Sequence, residues 1–212
     1  MSKSISRVLC GLFIATSMTV AQAEDRPWYV TLDAGVPSAG DPAFAGGRLT
    51  TRLGAAYGGA IGRQLGSHWR VEAALMYRNN PVRRVSSPGF DPQPADADWA
   101  SVLVTVNALY DFEGVQLGRV TVRPYVGLGL GRAQEVDTDL SFGGSAREYS
   151  GSGSARQVMA GLRWDYGSPW VADVGIAVAD AGTIRFKATG SADTVDARYR
   201  TTTLMVRLGY RF

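Results

Sequence analysis

The chain has 212 residues, is 45% hydrophobic and 19% charged, and carries a formal charge of +3. One Cys and one His exclude a disulfide scaffold and any metal site built from several cysteines or histidines. Plentiful apolar residues exclude a disordered chain, and three surplus positive charges are too few to support a nucleic-acid reading.

The N-terminus reads as an address. Lys3 and Arg7 precede an apolar run over 8–15, which fades towards Val20 and ends at Ala21-Gln22-Ala23, a small-x-small cleavage pattern. The run is too short to span a bilayer, so 1–23 is expected to be a secretory signal and 24–212 the working domain. Cys10 lies in that signal. Only Val8 and Leu9 separate it from Arg7, too little apolar sequence for a lipoprotein signal. Without Lys3 and Arg7 the chain keeps 20 basic and 19 acidic side chains, so most of its basicity belongs to the leader.

From there the dominant period is two, which argues strands. Val30, Leu32, Ala34 and Val36 alternate with Tyr29, Thr31, Asp33 and Gly35. A strand is expected over 48–62, with Leu49, Thr51, Leu53, Ala55 and Tyr57 on its apolar side. Next, Trp69, Val71, Ala73, Leu75 and Tyr77 oppose Arg70, Glu72, Ala74, Met76 and Arg78. Val102 to Tyr110 and Val120 to Leu130 repeat the pattern. So do 155–166, with Val158, Leu162 and Trp164, and 170–179, with Val174 and Ile176. The last strand sets Leu204, Val206, Leu208, Tyr210 and Phe212 against Met205, Arg207, Gly209 and Arg211.

Eight strands result, each long enough to cross a bilayer at a tilt. The connections alternate long (37–47, 79–98, 132–154, 180–196) and short (63–68, 113–119, 167–169). An all-β, antiparallel up-and-down transmembrane barrel with short periplasmic turns and long external loops gives this rhythm. Asn79-Asn80-Pro81, Ser86-Ser87-Pro88-Gly89, Gly143-Gly144-Ser145 and Gly151-Ser152-Gly153 are loop chemistry. Alternation alone does not say which face meets lipid. The aromatic residues near the ends of the apolar face do, as does the sparseness of Lys on the other. A soluble barrel would place the apolar face inward instead.

With the apolar face in lipid, Asp33, Arg52, Arg70, Glu72, Asp111, Arg123, Arg163, Asp165, Asp173 and Arg207 point into the lumen. An eight-stranded barrel holds little beyond its own side chains, and unpaired buried charge is prohibitive. These residues are expected to form an interlocked charge network; a narrow ion path is the functional rival. Glycines 54, 58, 127, 129, 161 and 175 share that face and are expected to leave room for arginines. Gly127-Leu128-Gly129-Leu130-Gly131 lacks nucleotide-loop spacing and leads into no helix. Ser67 and His68 sit together in a short turn with no acidic neighbour in sequence, which is not a triad. No catalytic, cofactor or metal residue is assigned.

The long connections hold what remains. Segment 79–98 begins basic, after Arg78, with Arg83 and Arg84, and turns acidic with Asp91, Asp96 and Asp98. Segment 132–154 balances Glu135, Asp137 and Asp139 against Arg132 and Arg147. Both are candidate contacts for host surfaces, phage or lipopolysaccharide phosphates, and both are equally well explained as solvated connections.

The residues resemble a known group. Ala21-Gln22-Ala23, the strand end Asn107-Ala108-Leu109-Tyr110-Asp111-Phe112, the run from Arg123-Pro124-Tyr125 to Gly131 and the terminal Leu208-Gly209-Tyr210-Arg211-Phe212 carry the resemblance. It is to small eight-stranded outer-membrane barrels of Gram-negative bacteria: the opacity-protein/surface-antigen family, the OmpX type and the transmembrane domain of OmpA. It covers 24–212. The resemblance implies a multi-pass outer-membrane location, contact with lipid and lipopolysaccharide, and handling by periplasmic chaperones and the barrel-assembly machinery. It assigns the assembly signal to Tyr210 and Phe212, framed by Leu204, Val206 and Leu208. Adhesion or surface protection is the leading expectation, with a narrow pore second and a lipid-modifying hydrolase third.

Overall fold

The computed structural model describes residues 27–40, 42–44, 47–86, 93–142, 145–190 and 194–212. The expected signal at 1–23 and the loop residues Ser87, Pro88, Gly89, Asp91, Gly143 and Gly144 lie outside the described residues. The strands are β1 (Trp28–Ser38), β2 (Ala43–Phe44), β3 (Gly47–Thr51), β4 (Ala55–Leu65), β5 (Trp69–Ser86), β6 (Gln93–Asp111), β7 (Val115–Leu117), β8 (Val120–Phe142), β9 (Ser145–Asp165), β10 (Trp170–Ala188) and β11 (Thr194–Arg211). Eight of them close a ring in the order β5-β4-β1-β11-β10-β9-β8-β6, with β6 pairing back onto β5. Every pairing is antiparallel. Closure leaves no open edge at membrane depth, as a spanning sheet requires. The seam joins the two chain ends: Tyr29 lies opposite Arg211, and Ser38 opposite Thr202.

The apolar face points outward. Leu32 is 75% exposed, Leu128 67% and Leu204 59%, while Asp33 and Arg207 are buried. That is the lipid-facing arrangement. Rings cluster towards its two ends. Trp69, Tyr110 and Phe112 touch edge to face, as do Trp170 and Tyr210, at centroid separations of 5.1 Å. At the other end Tyr57 meets Tyr77 at 5.0 Å. Aromatic residues in these two positions suit the headgroup regions.

Three expectations need correction. The first concerns the long connections. Most of 79–98, 132–154 and 180–196 is strand, because β5, β8 and β10 run on past the apolar belt to Ser86, Phe142 and Ala188. Alternation continues there with the opposite sense, so a search for an apolar outer face reads it as loop. The second concerns 48–62, which breaks at 52–54 into β3 and β4. Thr51 faces Val82 and Ala55 faces Asn79, so one strand advances four residues while its partner advances three. This extra residue flips the pleat. Leu49, expected to share a face with Tyr57, is fully buried inside while Tyr57 is exposed. The third is 113–119, which contains β7 in a small hairpin with β8.

Candidate functional site

Each inward face is set by the pleat, so the lumen is lined by every second residue of eight strands. Its periplasmic half is ionic. The Arg70 guanidinium donates to Asp111, from Nε to Oδ2 at 2.8 Å and from Nη2 to Oδ1 at 2.7 Å. It also reaches Glu72 Oε1 at 3.4 Å. Glu72 accepts from Tyr29 Oη at 2.7 Å and from Arg207 Nη2 at 2.9 Å. Arg207 Nε donates to Asp33 Oδ1 at 3.1 Å, and its Nη2 to Thr31 Oγ1 at 3.2 Å. Arg163 stands 4.0 Å from Asp173 and lies over the Tyr29 ring, while Arg70 lies over Tyr125. The arginines come from β5, β9 and β11 and the carboxylates from β1, β5, β6 and β10, so the pairs tie the wall together across the bore. Forked Arg–carboxylate geometry is the strongest form of such contact.

Three expected members stand elsewhere. Arg52 is exposed, because the break at 52–54 turns it out of the lumen. Arg123 is half-exposed at the periplasmic rim. Asp165 is also at that rim, where Arg211 reaches it at 2.5 Å. The alternation turns Arg78 inward as well, beyond the expected network. It is buried and donates to Thr203 Oγ1 at 3.1 Å and to Gln157 Oε1 at 3.4 Å. The inward glycines make room mostly for neutral groups. A Cβ at Gly161 or Gly175 would lie 2.7 or 2.5 Å from the Tyr125 hydroxyl, and one at Gly129 would strike the Asn107 amide.

Above Arg78 the filling changes. Leu49, Val82, Trp99, Leu103, Val136, Ile184, Phe186 and Tyr199 form one buried apolar cluster, with Trp99 and Phe186 rings 5.4 Å apart. The Tyr199 hydroxyl shares a 2.7 Å hydrogen bond with Ser101. Between this cluster and the ion pairs lies a cavity of about 20 Å³, lined by Asp33, Glu72, Arg78, Asn107, Gln157 and Met205 among others. That is room for about one water molecule. Sequence reasoning missed this upper cluster. The signal was present in Ile184, Phe186 and Ala188 alternating with Arg185 and Lys187.

At the periplasmic rim His68 has a fixed setting. Nδ1 lies 2.9 Å from the Asp111 carbonyl oxygen, and Nε2 is 3.4 Å from Glu113 Oε1. Its ring stacks on Tyr110 at 5.5 Å. The acidic neighbour absent from the local sequence thus arrives from the next turn, while Ser67 is exposed. Among the described residues no group of three His, Cys, Asp or Glu side chains is placed to hold a metal ion. On β11, Leu204, Val206, Leu208 and Tyr210 face outward, and the Phe212 N–H donates to the Trp28 carbonyl at 2.9 Å. The expected assembly residues therefore flank the closing seam.

Above the apolar belt, on the outside of β9, β10 and β11, Asp180 lies between Arg156 and Arg200 in register. Its Oδ1 accepts from the Gly182 N–H at 2.7 Å, and Oδ2 faces Arg198 at 3.4 Å and Arg156 at 3.8 Å. The Gly182 N–H, with Arg198 and Arg156 beyond it, holds this carboxyl below the usual carboxylate range against an opposing effect of burial.

The family model for the outer membrane protein beta-barrel domain matches residues 8–212. Neisserial surface protein A has a similar solved structure: 18% identity, TM-score 0.52, covering 87% of this chain and 97% of its own. The outer membrane protein OprG from Pseudomonas aeruginosa is similar at 17% identity and TM-score 0.52, covering 88% and 97%. No curated protein sequence matches this chain. At these identities the two structures speak for the fold. Lipid-facing apolar strands, a closed antiparallel ring and the family match converge: the chain belongs to the outer membrane protein beta-barrel domain family and is an eight-stranded barrel of the cell outer membrane.

Proposed function

We propose that the protein is a non-enzymatic surface barrel whose outer tier presents hairpin tips, around 79–98 and 132–154, for adhesion or surface protection. The observation that carries this reading is the filling of the lumen. Ion pairs occupy the lower half and the Trp99–Phe186 cluster occupies the upper half, with a cavity of about 20 Å³ between them. A lumen filled by its own side chains in this way supports a reading in which partners meet the outside of the barrel. Neisserial surface protein A, which has a similar fold, is by its name a surface protein.

The test is planar-bilayer recording of the refolded protein beside a version shortened within 132–154. The expected result is a quiet membrane with both. Steady single-channel steps that change when Arg70 is replaced would select the pore. A lipid-hydrolase activity lost in Ser67→Ala or His68→Gln would select the enzyme. In the same reading residues 1–23 are a cleaved signal, so N-terminal sequencing of the exported protein is expected to begin at Glu24. Phe212 serves barrel assembly: its deletion is expected to lower outer-membrane yield with export to the periplasm intact, and unchanged yield would refute that role.

A further inference from the structure

The five methionines are unevenly placed. Met1 and Met18 belong to the expected leader, while Met76, Met159 and Met205 come from β5, β9 and β11. All three of these are buried, and all three line the cavity of about 20 Å³ between the ion pairs and the upper cluster. Methionine ordinarily serves a core as an adaptable apolar filler. The distribution here runs the other way. The upper apolar cluster is built from Leu, Val, Ile, Ala and aromatic side chains, with no methionine among its described members. The thioethers gather instead where the lining is polar, beside Asp33, Glu72, Arg78, Asn107 and Gln157.

Each has bare neighbours. Gly58 lies opposite Met76, Gly35 and Gly175 lie opposite Met205, and Gly127 lies opposite Met159. A Cβ at Gly127 would stand 3.1 Å from Met159 Cε, so the missing side chain is room that the thioether uses. Unbranched chains beside glycine can reorient their sulfurs without moving the backbone.

The charges of the lining narrow the class of ligand. Asp33 and Glu72 are balanced by Arg78 and Arg207, and both carboxylates already accept from Arg207. A hard divalent cation needs several free oxygen ligands, and these two carboxylates are engaged. Sulfur remains. Met159 Sδ accepts from Gln157 Nε2 at 3.1 Å and keeps a second lone pair. Thioether sulfur is a soft, uncharged donor that selects copper(I) and its analogue silver(I). A space of about 20 Å³ takes one such ion in place of a water molecule.

We propose that Met76, Met159 and Met205 form a three-thioether site for one soft monovalent cation, copper(I) or silver(I), inside the barrel. The ion ties β5, β9 and β11 together across the bore, above the ion pairs. Because ion pairs flank the cavity below and the apolar cluster flanks it above, the ion is supplied while the barrel closes. The site is independent of what the hairpin tips bind.

The experiment refolds the full chain in detergent micelles with one equivalent of silver nitrate, in buffer free of chloride and thiols. Native mass spectrometry after desalting is expected to show one silver ion per folded chain. With isotope-labelled methionine methyls, the Met76, Met159 and Met205 signals should move together and stop at one equivalent, while Met1 and Met18 stay still. Met76→Leu, Met159→Leu and Met205→Leu nearly conserve volume and are expected to preserve folding. Each should weaken silver retention about tenfold or more, since losing a contact behind a metal ligand alone costs about 10- to 100-fold. Met18→Leu should leave retention unchanged. Heat-dependent gel mobility reports folding apart from binding. A folded wild type that retains no silver overturns the site, as does retention that survives the triple leucine variant, which marks an adventitious ion only. Equal retention of zinc(II) overturns the soft-ion assignment. If a variant fails to fold, the wild-type methyl signals decide: movement at Met1 or Met18 in place of the three overturns the site.

Discussion

The barrel is one set of strands with two opposite fillings. In the membrane tier the outside is Leu, Val and Ile, and the inside is Arg70, Glu72, Asp111, Asp33 and Arg207. In the outer tier the inside is Leu49, Trp99, Ile184, Phe186 and Tyr199, and the outside is Arg185, Lys187, Asp196 and Arg198. The solvent explains the reversal. Hydrocarbon accepts apolar groups and forces polar ones to the axis; water reverses the preference. β10 changes over at a bulge. Asp180 faces Arg200 and Gly182 faces Tyr199, which leaves Ala181 extra, with Gly182 at a φ of +65°. β8 uses a similar irregularity between Ala133 and Val136. One inserted residue exchanges the two faces, so the same period of two serves both environments.

The comparison breaks most severely at the ion pairs. Arg207→Ala strands Asp33 in the bore, takes from Glu72 one of its two arginines, and is expected to cost about 3–5 kcal/mol. Urea unfolding in micelles would measure it, and the heat-resistant folded form should be lost. Phe186→Ala is expected to cost about 3 kcal/mol at the upper cluster only. Proteolysis should then cut the outer hairpins while the membrane tier keeps its heat-dependent gel shift. Deleting Ala181 sharpens the contrast by removing the one residue of the bulge that has no register partner on β11. It should turn Ile184 and Phe186 outward, raise protease sensitivity at the β10–β11 tip and leave the span below Ala179 intact. The smallest effect belongs to Asp196→Asn. The pair with Arg185 is 3.3 Å apart but 71% and 56% exposed, so a change of about 0.5 kcal/mol or less is expected.

The sequence and the structure agree where one rule held along a whole strand. Val206-Arg207-Leu208 and Trp69-Arg70-Val71 announce a lipid face and a lumen face, and the buried Arg70 and Arg207 follow from counting by two. Arg52 and Leu49 depart from the alternation because of the three-residue break at 52–54, which carries no compositional mark beyond Gly54. The upper cluster was missed for a different reason. Ile184 and Phe186 lie among Gly182, Thr183 and Thr189, a composition that favours turns, and the alternation is legible only once the change of solvent is allowed for. Glu113 beside His68 depends on two turns meeting at the rim, which no local pattern encodes.

The reversal is tested most directly by spin labels placed singly along β10 from Trp170 to Ala188, each scored for collision with oxygen dissolved in lipid and with a water-soluble nickel chelate. The expected pattern is oxygen contact at even positions up to Val178, then nickel contact at Thr183, Arg185 and Lys187, with Ile184 and Phe186 protected from both. Uninterrupted even-numbered exposure through to Ala188, with no change of phase at Ala181, would contradict it.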